Sequence, residues 1–226
     1  GLLRAWGGTA LQPHEWQQGL EMTTVAHARG LEHYLLRGSF DRLARLDLPA
    51  IIEMSAPSGQ GTRFVLLLSM TGDHCRVLLD REYDIPSRVL NDNWLGRGHL
   101  FWRDFNQLGP RLSVGSVGDQ VQRLHTLLSA MRALAVGEMP AAGQDIVFSQ
   151  QTRNAVARFQ QANELTPDGV VGPLTMIVLY NAFPTYTHPR LSEKGELPTT
   201  TEGAKKQDAV SEKTADMSAA TGGEGS

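Results

Sequence analysis

Two stretches of this chain carry the same arrangement of hydrogen-bonding side chains. Asp145, Phe148 and Thr152 are spaced as Asp168, Val171 and Thr175 are: an acid, an apolar residue three positions on, and a threonine four beyond. Each copy runs into an apolar-periodic segment, which is the signature of a tight loop turning into a helix. Gly169 permits a positive φ, Gly172 suits an N-cap and Pro173 the first helical position. Ser149 is a natural N-cap, with Thr152 three residues inside. Taken singly, Asp145, Thr152, Asp168 and Thr175 read as capping groups. Beside the second copy lie Arg158, Gln160, Gln161, Asn163, Asp168 and Gly169, a set of donors and acceptors suited to sugar hydroxyls, amides and carboxylates. An Arg there could hold a carboxylate through two parallel hydrogen bonds. The alternative is an ordinary solvated helix face.

Groups able to do covalent or acid–base chemistry are sparse. Cys75 is the single cysteine. It follows His74 on an expected strand, where neighbours point to opposite faces, so the two form no dyad. His27 and His33 do not share a helical face, no second cysteine is present, and no metal site or cofactor is expected. His14, His99 and His125 read as surface or internally satisfied residues, and His188 falls in the expected tail. Among Glu15, Glu21, Glu32 and Glu53, the last is the candidate acid for an enzyme reading, because its strand adjoins the core. Its competing reading is an outward-facing strand residue.

These residues need elements to position them. Val121, Leu124, Leu127, Leu128, Met131 and Leu134 form one apolar helical stripe, Ala155, Val156, Phe159 and Ala162 a second, and Leu174, Ile177 and Val178 a third. Further upstream, Trp16, Leu20, Val25, Leu31, Leu35 and Leu36 read as helical, followed by a helix capped by Ser39. Strands are expected at Pro49–Met54, Phe64–Met70 and Arg76–Leu79, the last two joined by a hairpin at Gly72-Asp73. A short helix is expected at Asp84–Asn91, started by Pro86, and a further strand at Gly98–Trp102. The order is α+β with an antiparallel sheet, then three helices. Domain limits are expected at 1–108 and 109–184, with a low-complexity, disordered tail at 185–226.

Composition narrows the function. The chain has 226 residues, 41% hydrophobic, enough for two small cores. A net charge of −3 argues against nonspecific nucleic-acid binding. No apolar run approaches the roughly 20 residues of a membrane span. The chain opens on Gly1, without a secretory signal, and reads as a soluble piece of a longer protein.

Residues 112–183 resemble a small three-helix peptidoglycan-binding module. Its pattern, L-x-x-G-x-x-G-x-x-V-x-x-L-Q, D-G-x-F-G-x-x-T-x-x-A-V-x-x-F-Q, then L-x-x-D-G-x-V-G-x-x-T, fits Ala155-Val156-Ala157-Arg158-Phe159-Gln160 and Leu165 to Gly172 almost position for position. Ile146 and Ser149 replace two glycines, His125 stands where Gln is usual, and the 135–147 stretch is long. The resemblance implies binding of glycan strands or stem peptides; a bare scaffold is the alternative.

Residues 14–105 resemble a papain-like cysteine peptidase of the C39 group, on Arg63-Phe64-Val65-Leu66-Leu67, Arg76 to Asp80 and Trp94-Leu95-Gly96-Arg97-Gly98-His99-Leu100. That group uses Cys, His and Asp. Here no cysteine precedes Cys75, Arg63 stands in place of the His and cannot serve as a base, and only Asp80 remains. The resemblance therefore implies a peptidase fold without catalytic residues. The domain pair, with Leu46-Asp47-Leu48-Pro49-Ala50, resembles the periplasmic region of the general secretion pathway protein A family (ExeA type). That implies a periplasmic fragment of an inner-membrane-anchored ATPase, with no Walker motif in this piece. It also implies peptidoglycan as a partner, a homo-oligomer on the wall, secretin and inner-membrane secretion components as further partners, and a part in secretin assembly. The rival is a wall hydrolase or peptidase targeted by its binding module. A third possibility is a pseudo-peptidase cleft that holds a partner's peptide without cutting it.

Overall fold

The computed structural model describes residues 1–10, 21–56, 61–132 and 146–192. In chain order these carry α1 (Leu2–Ala5), α2 (Met22–His27), β1 (Glu32–Arg37), α3 (Phe40–Arg45), β2 (Ala50–Ser55), β3 (Thr62–Thr71), β4 (His74–Leu78) and β5 (Glu82–Pro86). Then come α4 (Ser87–Asn93), β6 (Trp94–Trp102), α5 (Asp119–Ala130), α6 (Gln150–Ala162) and α7 (Pro173–Asn181). The strands form a six-stranded sheet in the order β1-β6-β2-β3-β4-β5. Every pairing in it is antiparallel. The α+β order expected from the sequence is the one observed.

The apolar run in β3 is buried on both sides of the sheet: Val65 and Leu67 face one way, Leu66 and Leu68 the other, and all four are buried. Val65 and Leu67 join a continuous core with Leu36, Phe40, Leu43, Ile52 and Leu100. The same core continues through Leu108 and Leu112 into Val121, Leu124, Phe148, Phe159 and Ile177 of the helical part. The opposite face is covered by Leu2, Leu3, Val25, Ala26 and Leu31, all buried. Ser39 caps α3 by accepting the Arg42 N–H at 3.2 Å.

Three sequence expectations are corrected. Leu31, Leu35 and Leu36 are not helical. α2 ends at His27, Gly30 turns the chain at φ +64°, and the chain then pairs as β1 with β6 from Glu32↔Trp102 to Arg37↔Arg97. Cross-strand pairing overrode an apolar spacing that was also compatible with a helix. The Trp16 and Leu20 positions of that expected helix lie outside the described residues. Second, Asp84 belongs to β5, and the expected helix begins only after Pro86.

Third, the segment 185–192 is packed rather than tail-like. Leu191 is 1% exposed, Met70 N–H donates to its carbonyl at 2.6 Å, and its own N–H donates to Asp47 O at 3.2 Å. Asp47, at φ +50°, also accepts from Ser192 N–H at 2.8 Å and from Arg190 Nη1 at 3.1 Å. His188 is buried, not part of a solvated tail. Polar composition concealed Leu191, which joins the core, and Tyr186, which packs against it. The expected tail from 193 onward lies outside the described residues.

The helical part is fastened to the sheet part by the buried Tyr180 and the partly buried Tyr186. Tyr180 Oη on α7 donates to Asp104 Oδ1 at 2.5 Å and accepts the Asn106 N–H at 3.3 Å. Asp104 Oδ2 accepts the Gly109 N–H at 2.9 Å, and Tyr186 Oη donates to Asn106 Oδ1 at 2.5 Å. Phe105 stacks on Tyr186 at 4.9 Å and meets Tyr180 edge-on at 5.4 Å. Burial first, and then Asp104, raises the Tyr180 pKa, so the phenol stays a donor. Asn181 Nδ2 adds a bond to Leu46 O at 2.8 Å.

Tyr180→Phe keeps the ring and removes the donor to a buried carboxylate, so it should destabilise the folded chain by about 1–3 kcal/mol. Urea unfolding checks this; a loss below about 0.5 kcal/mol would mean that water replaces the bond at no cost.

Candidate functional site

The two loop-helix units are built alike. In the first, Ser149 accepts the Thr152 N–H at 3.2 Å while Ser149 N–H donates to Thr152 Oγ1 at 3.3 Å, a reciprocal cap. In the second, Gly172 is the N-cap and Pro173 opens α7. Phe148 and Val171, the apolar residues of the two copies, are each 0% exposed. Two short antiparallel bridges, Val117↔Val147 and Leu112↔Val171, tie both loops to the segment before α5.

Each preceding helix also sends a polar side chain to the threonine of the next. His125 Nε2 lies 2.9 Å from Thr152 Oγ1, and Gln160 Nε2 lies 3.0 Å from Thr175 Oγ1. Gln160 does more. Its Nε2 is also 2.9 Å from Asp168 Oδ1 and 2.8 Å from Val170 O, so two hydrogens serve three acceptors. Its Oε1 accepts the Gly169 N–H at 2.8 Å. Asp168 Oδ1 additionally accepts the Val170 N–H at 2.8 Å. Gly169 sits at φ +71°, and a Cβ there would lie 2.5 Å from Arg153 Cγ. Only glycine fits both the backbone and the space.

Above this pinned loop runs a groove whose other wall is α3 of the sheet part. One section, of about 230 Å³, is lined by Tyr34, Arg42, Leu165, Thr166, Asp168 and Pro173, with Gln160 at its base. The adjoining section, of about 460 Å³, shares Arg42, Leu165 and Thr166 and adds Arg45, Asn163 and Glu164. Arg45 and Glu164 form an ion pair across it. Arg42 is half-buried and, among the described residues, has no ion-pair partner. Burial raises the Tyr34 pKa, leaving its hydroxyl protonated.

The residues expected to meet a ligand do not all lie on this groove. Asp168 and Asn163 line the groove, though the Asn163 amide also donates to Phe159 O at 2.8 Å. Gln160 and Gly169 are buried and committed to holding the loop. Arg158 and Gln161 are exposed on α6 and are not among the residues lining the groove. Tyr34, Arg42, Arg45 and Thr166 were not singled out by sequence. The first three belong to a different part of the chain, and no local pattern announces that they meet the module. Asp145 lies outside the described residues.

The residues weighed for catalysis do not assemble into a nucleophile and base. Cys75 is buried, with its thiol pushed up to about 11 by burial and next by Asp84, while His74 is exposed and paired with Asp73 at 2.9 Å. The opposite-face expectation for this pair therefore describes the geometry. Arg63 and Asp80 are exposed, and Asp80 accepts from Tyr83 Oη at 2.9 Å. Glu53, expected to face outward, is 5% exposed. Its oxygens are taken by Arg97 Nη2 at 2.6 Å and His99 Nε2 at 3.2 Å. His99 stacks on His33, with Nδ1 to Nε2 at 3.1 Å, and Thr23 Oγ1 closes the row 3.2 Å from His33 Nδ1. The pairing of β1, β6 and β2 places these side chains on one sheet face. Among the described residues no cluster of His, Cys, Asp and Glu suits a metal ion.

Comparison with known proteins locates these features. Residues 117–179 match the family described as "Putative peptidoglycan binding domain". Over 207 residues, 88% of the chain, the sequence is 27% identical to general secretion pathway protein A of Aeromonas hydrophila, and it spans 34% of that protein's length. A periplasmic domain of the EpsAB fusion protein of the Vibrio vulnificus type II secretion system aligns over 75% of this chain and 74% of its own, at 18% identity and a TM-score of 0.43. The N-terminal peptidase C39 like domain of a toxin secretion ATP-binding protein from Vibrio parahaemolyticus aligns over 46% of this chain and 97% of its own, at 20% identity and a TM-score of 0.35.

Gln160→Leu should destabilise the chain by roughly 2–4 kcal/mol, because it strands the buried Gly169 N–H and frees the Asp168 loop. Chemical denaturation measures this, and an unchanged midpoint would show that the loop holds without it. Burial lowers the pKa of His125 from 6.5, and burial and then His99 lower that of His33 from 6.5. Below 6.5 the unfolded chain binds these protons first, so stability is complete above that pH and falls as pH drops toward the depressed folded values. His125→Gln can keep the bond to Thr152 without titrating. The difference in melting temperature between pH 7.5 and pH 5 should shrink but not vanish, since His33 remains.

Proposed function

We propose that this chain is a non-catalytic, wall-binding part of a type II secretion assembly factor. The observation that carries the reading is the match of residues 117–179 to the peptidoglycan-binding family, on a module whose loops are internally pinned and border an open polar groove. The likeness to general secretion pathway protein A supports the secretion context. Among the described residues no helix is long and apolar enough to cross a membrane, and the periplasm is the compartment in which such a module meets its polymer.

Residues 1–108 and 109–184 are read as two lobes, the first a peptidase-like frame without catalytic residues and the second the wall binder. Arg63 and the buried, high-pKa Cys75 support the non-catalytic reading. Bound to a polymeric ligand, several copies gain avidity that one small module lacks. Oligomers held on the wall in this way would mark where a secretin assembles.

Co-sedimentation with purified sacculi, with soluble muropeptides assayed in the same tubes, tests this reading. The protein should pellet with the sacculi and release nothing. Released fragments would instead support a wall hydrolase and turn attention to Glu53. A protein that stays in the supernatant would overturn wall binding altogether.

A further inference from the structure

We propose that the groove between α3 and the 163–175 segment is a composite stem-peptide site in which Arg42, from the sheet lobe, binds a ligand carboxylate. This inference rests on the wall-binding reading and adds to it the chemical class recognised and the lobe that recognises it. Three observations carry it.

The first is the state of Arg42. A half-buried guanidinium loses part of its hydration and needs a partner to recover it. Arg45, one turn along the same helix, has that partner in Glu164; among the described residues Arg42 has none. Its planar fork is suited to a carboxylate through paired hydrogen bonds. Its backbone is fixed, because the Arg42 N–H is the group that the Ser39 cap accepts.

The second is the distribution of charge. Asp168 borders the same section of groove as Arg42. One of its oxygens is held by Gln160 and Val170; the other has no such bond among the described residues. The groove therefore presents a cation on one wall and an anion on the other, without an ion pair between them. A ligand bearing both a free carboxylate and a free amine, as a diamino acid in a stem peptide does, complements both. A glycan chain stripped of its stems by amidase keeps lactyl carboxylates but has no amine, so it complements Arg42 alone and leaves Asp168 unmatched.

The third is the lining between the charges. The Tyr34 and Thr166 hydroxyls offer bonds to peptide amides, and Leu165 and Pro173 offer an apolar shelf for short side chains such as alanine. Sections of about 230 and 460 Å³ suit a few residues of peptide. Together these groups describe a peptide-reading groove, completed only when both lobes are in place.

The test compares binding of the 226-residue chain to sacculi, to soluble muropeptides that retain stem peptides, and to glycan chains stripped of stems by amidase. Wild type should bind the first two and lose affinity for the third. Arg42→Gln should weaken muropeptide binding about tenfold to a hundredfold, the loss expected for a charge-assisted pair. Arg42→Lys should recover only part, and Arg158→Gln, outside the groove, should bind as wild type does. Circular dichroism and melting temperature confirm that the variants fold. Equal binding of wild type and Arg42→Gln, or of stem-bearing and stem-free glycan, would overturn this inference while leaving wall binding intact. Failure of wild type to bind sacculi would overturn both.

Discussion

The hydrogen bond from Tyr180 to Asp104 is the constraint on which the functional geometry depends. It joins the last helix of the module to the segment leaving the sheet, and the ring of Phe105 meets the Tyr180 ring edge-on beside it. Around it, Asn106, Gly109 and Tyr186 each satisfy a polar group that the junction would otherwise bury alone. With the module held there, its 163–175 segment faces α3 at a fixed separation. A looser junction would leave Arg42 and Asp168 on surfaces with no defined relation. The groove is thus a consequence of the junction rather than of either lobe.

Inside the module, stability and display are divided between residues of similar chemistry. Gln160 spends its amide on the Asp168 loop and on Thr175, and His125 reaches Thr152 in the corresponding place. Both are polar side chains in an apolar core, tolerable because their partners are fixed. The parallel is incomplete: His125 Nδ1 is buried with no hydrogen-bond partner among the described residues, whereas Gln160 uses both ends of its amide. Asn163, Thr166 and Asp168 line the groove beside the loop that Gln160 holds.

In the sheet lobe the polar side chains that gather are not the ones weighed for a cysteine peptidase. The residues weighed as nucleophile, base and orienter are scattered: Cys75 in the core, Arg63 and Asp80 in solvent. The polar side chains that do gather, Glu53, His99 and His33, sit instead across three neighbouring strands and satisfy one another. The one stretch read with the wrong period, Leu31 to Leu36, failed because a run of leucines suits a helix and an edge strand alike, and only pairing with β6 decides between them. Residues 185–192 were hidden in a different way. Two apolar residues in a polar stretch are too few to change its composition, although the stretch is bonded to Asp47 and Met70.

The sequence by itself determined the repeated loop-helix units, their caps, the buried strands and the resemblance to a wall-binding module. These depend on contacts between residues close in the chain, so spacing and residue type record them directly. Only the tertiary structure decided which of those polar residues are spent on the fold and which line the groove. Gln160 and Arg158 look equally available on a helix drawn from sequence, yet one is buried among partners and the other is exposed and not among the residues lining the groove. The role of Arg42 was likewise beyond local reading. Its place in the proposal comes from the lack of a counter-charge among the described residues and from a wall supplied by residues far along the chain, and both exist only once the core has closed.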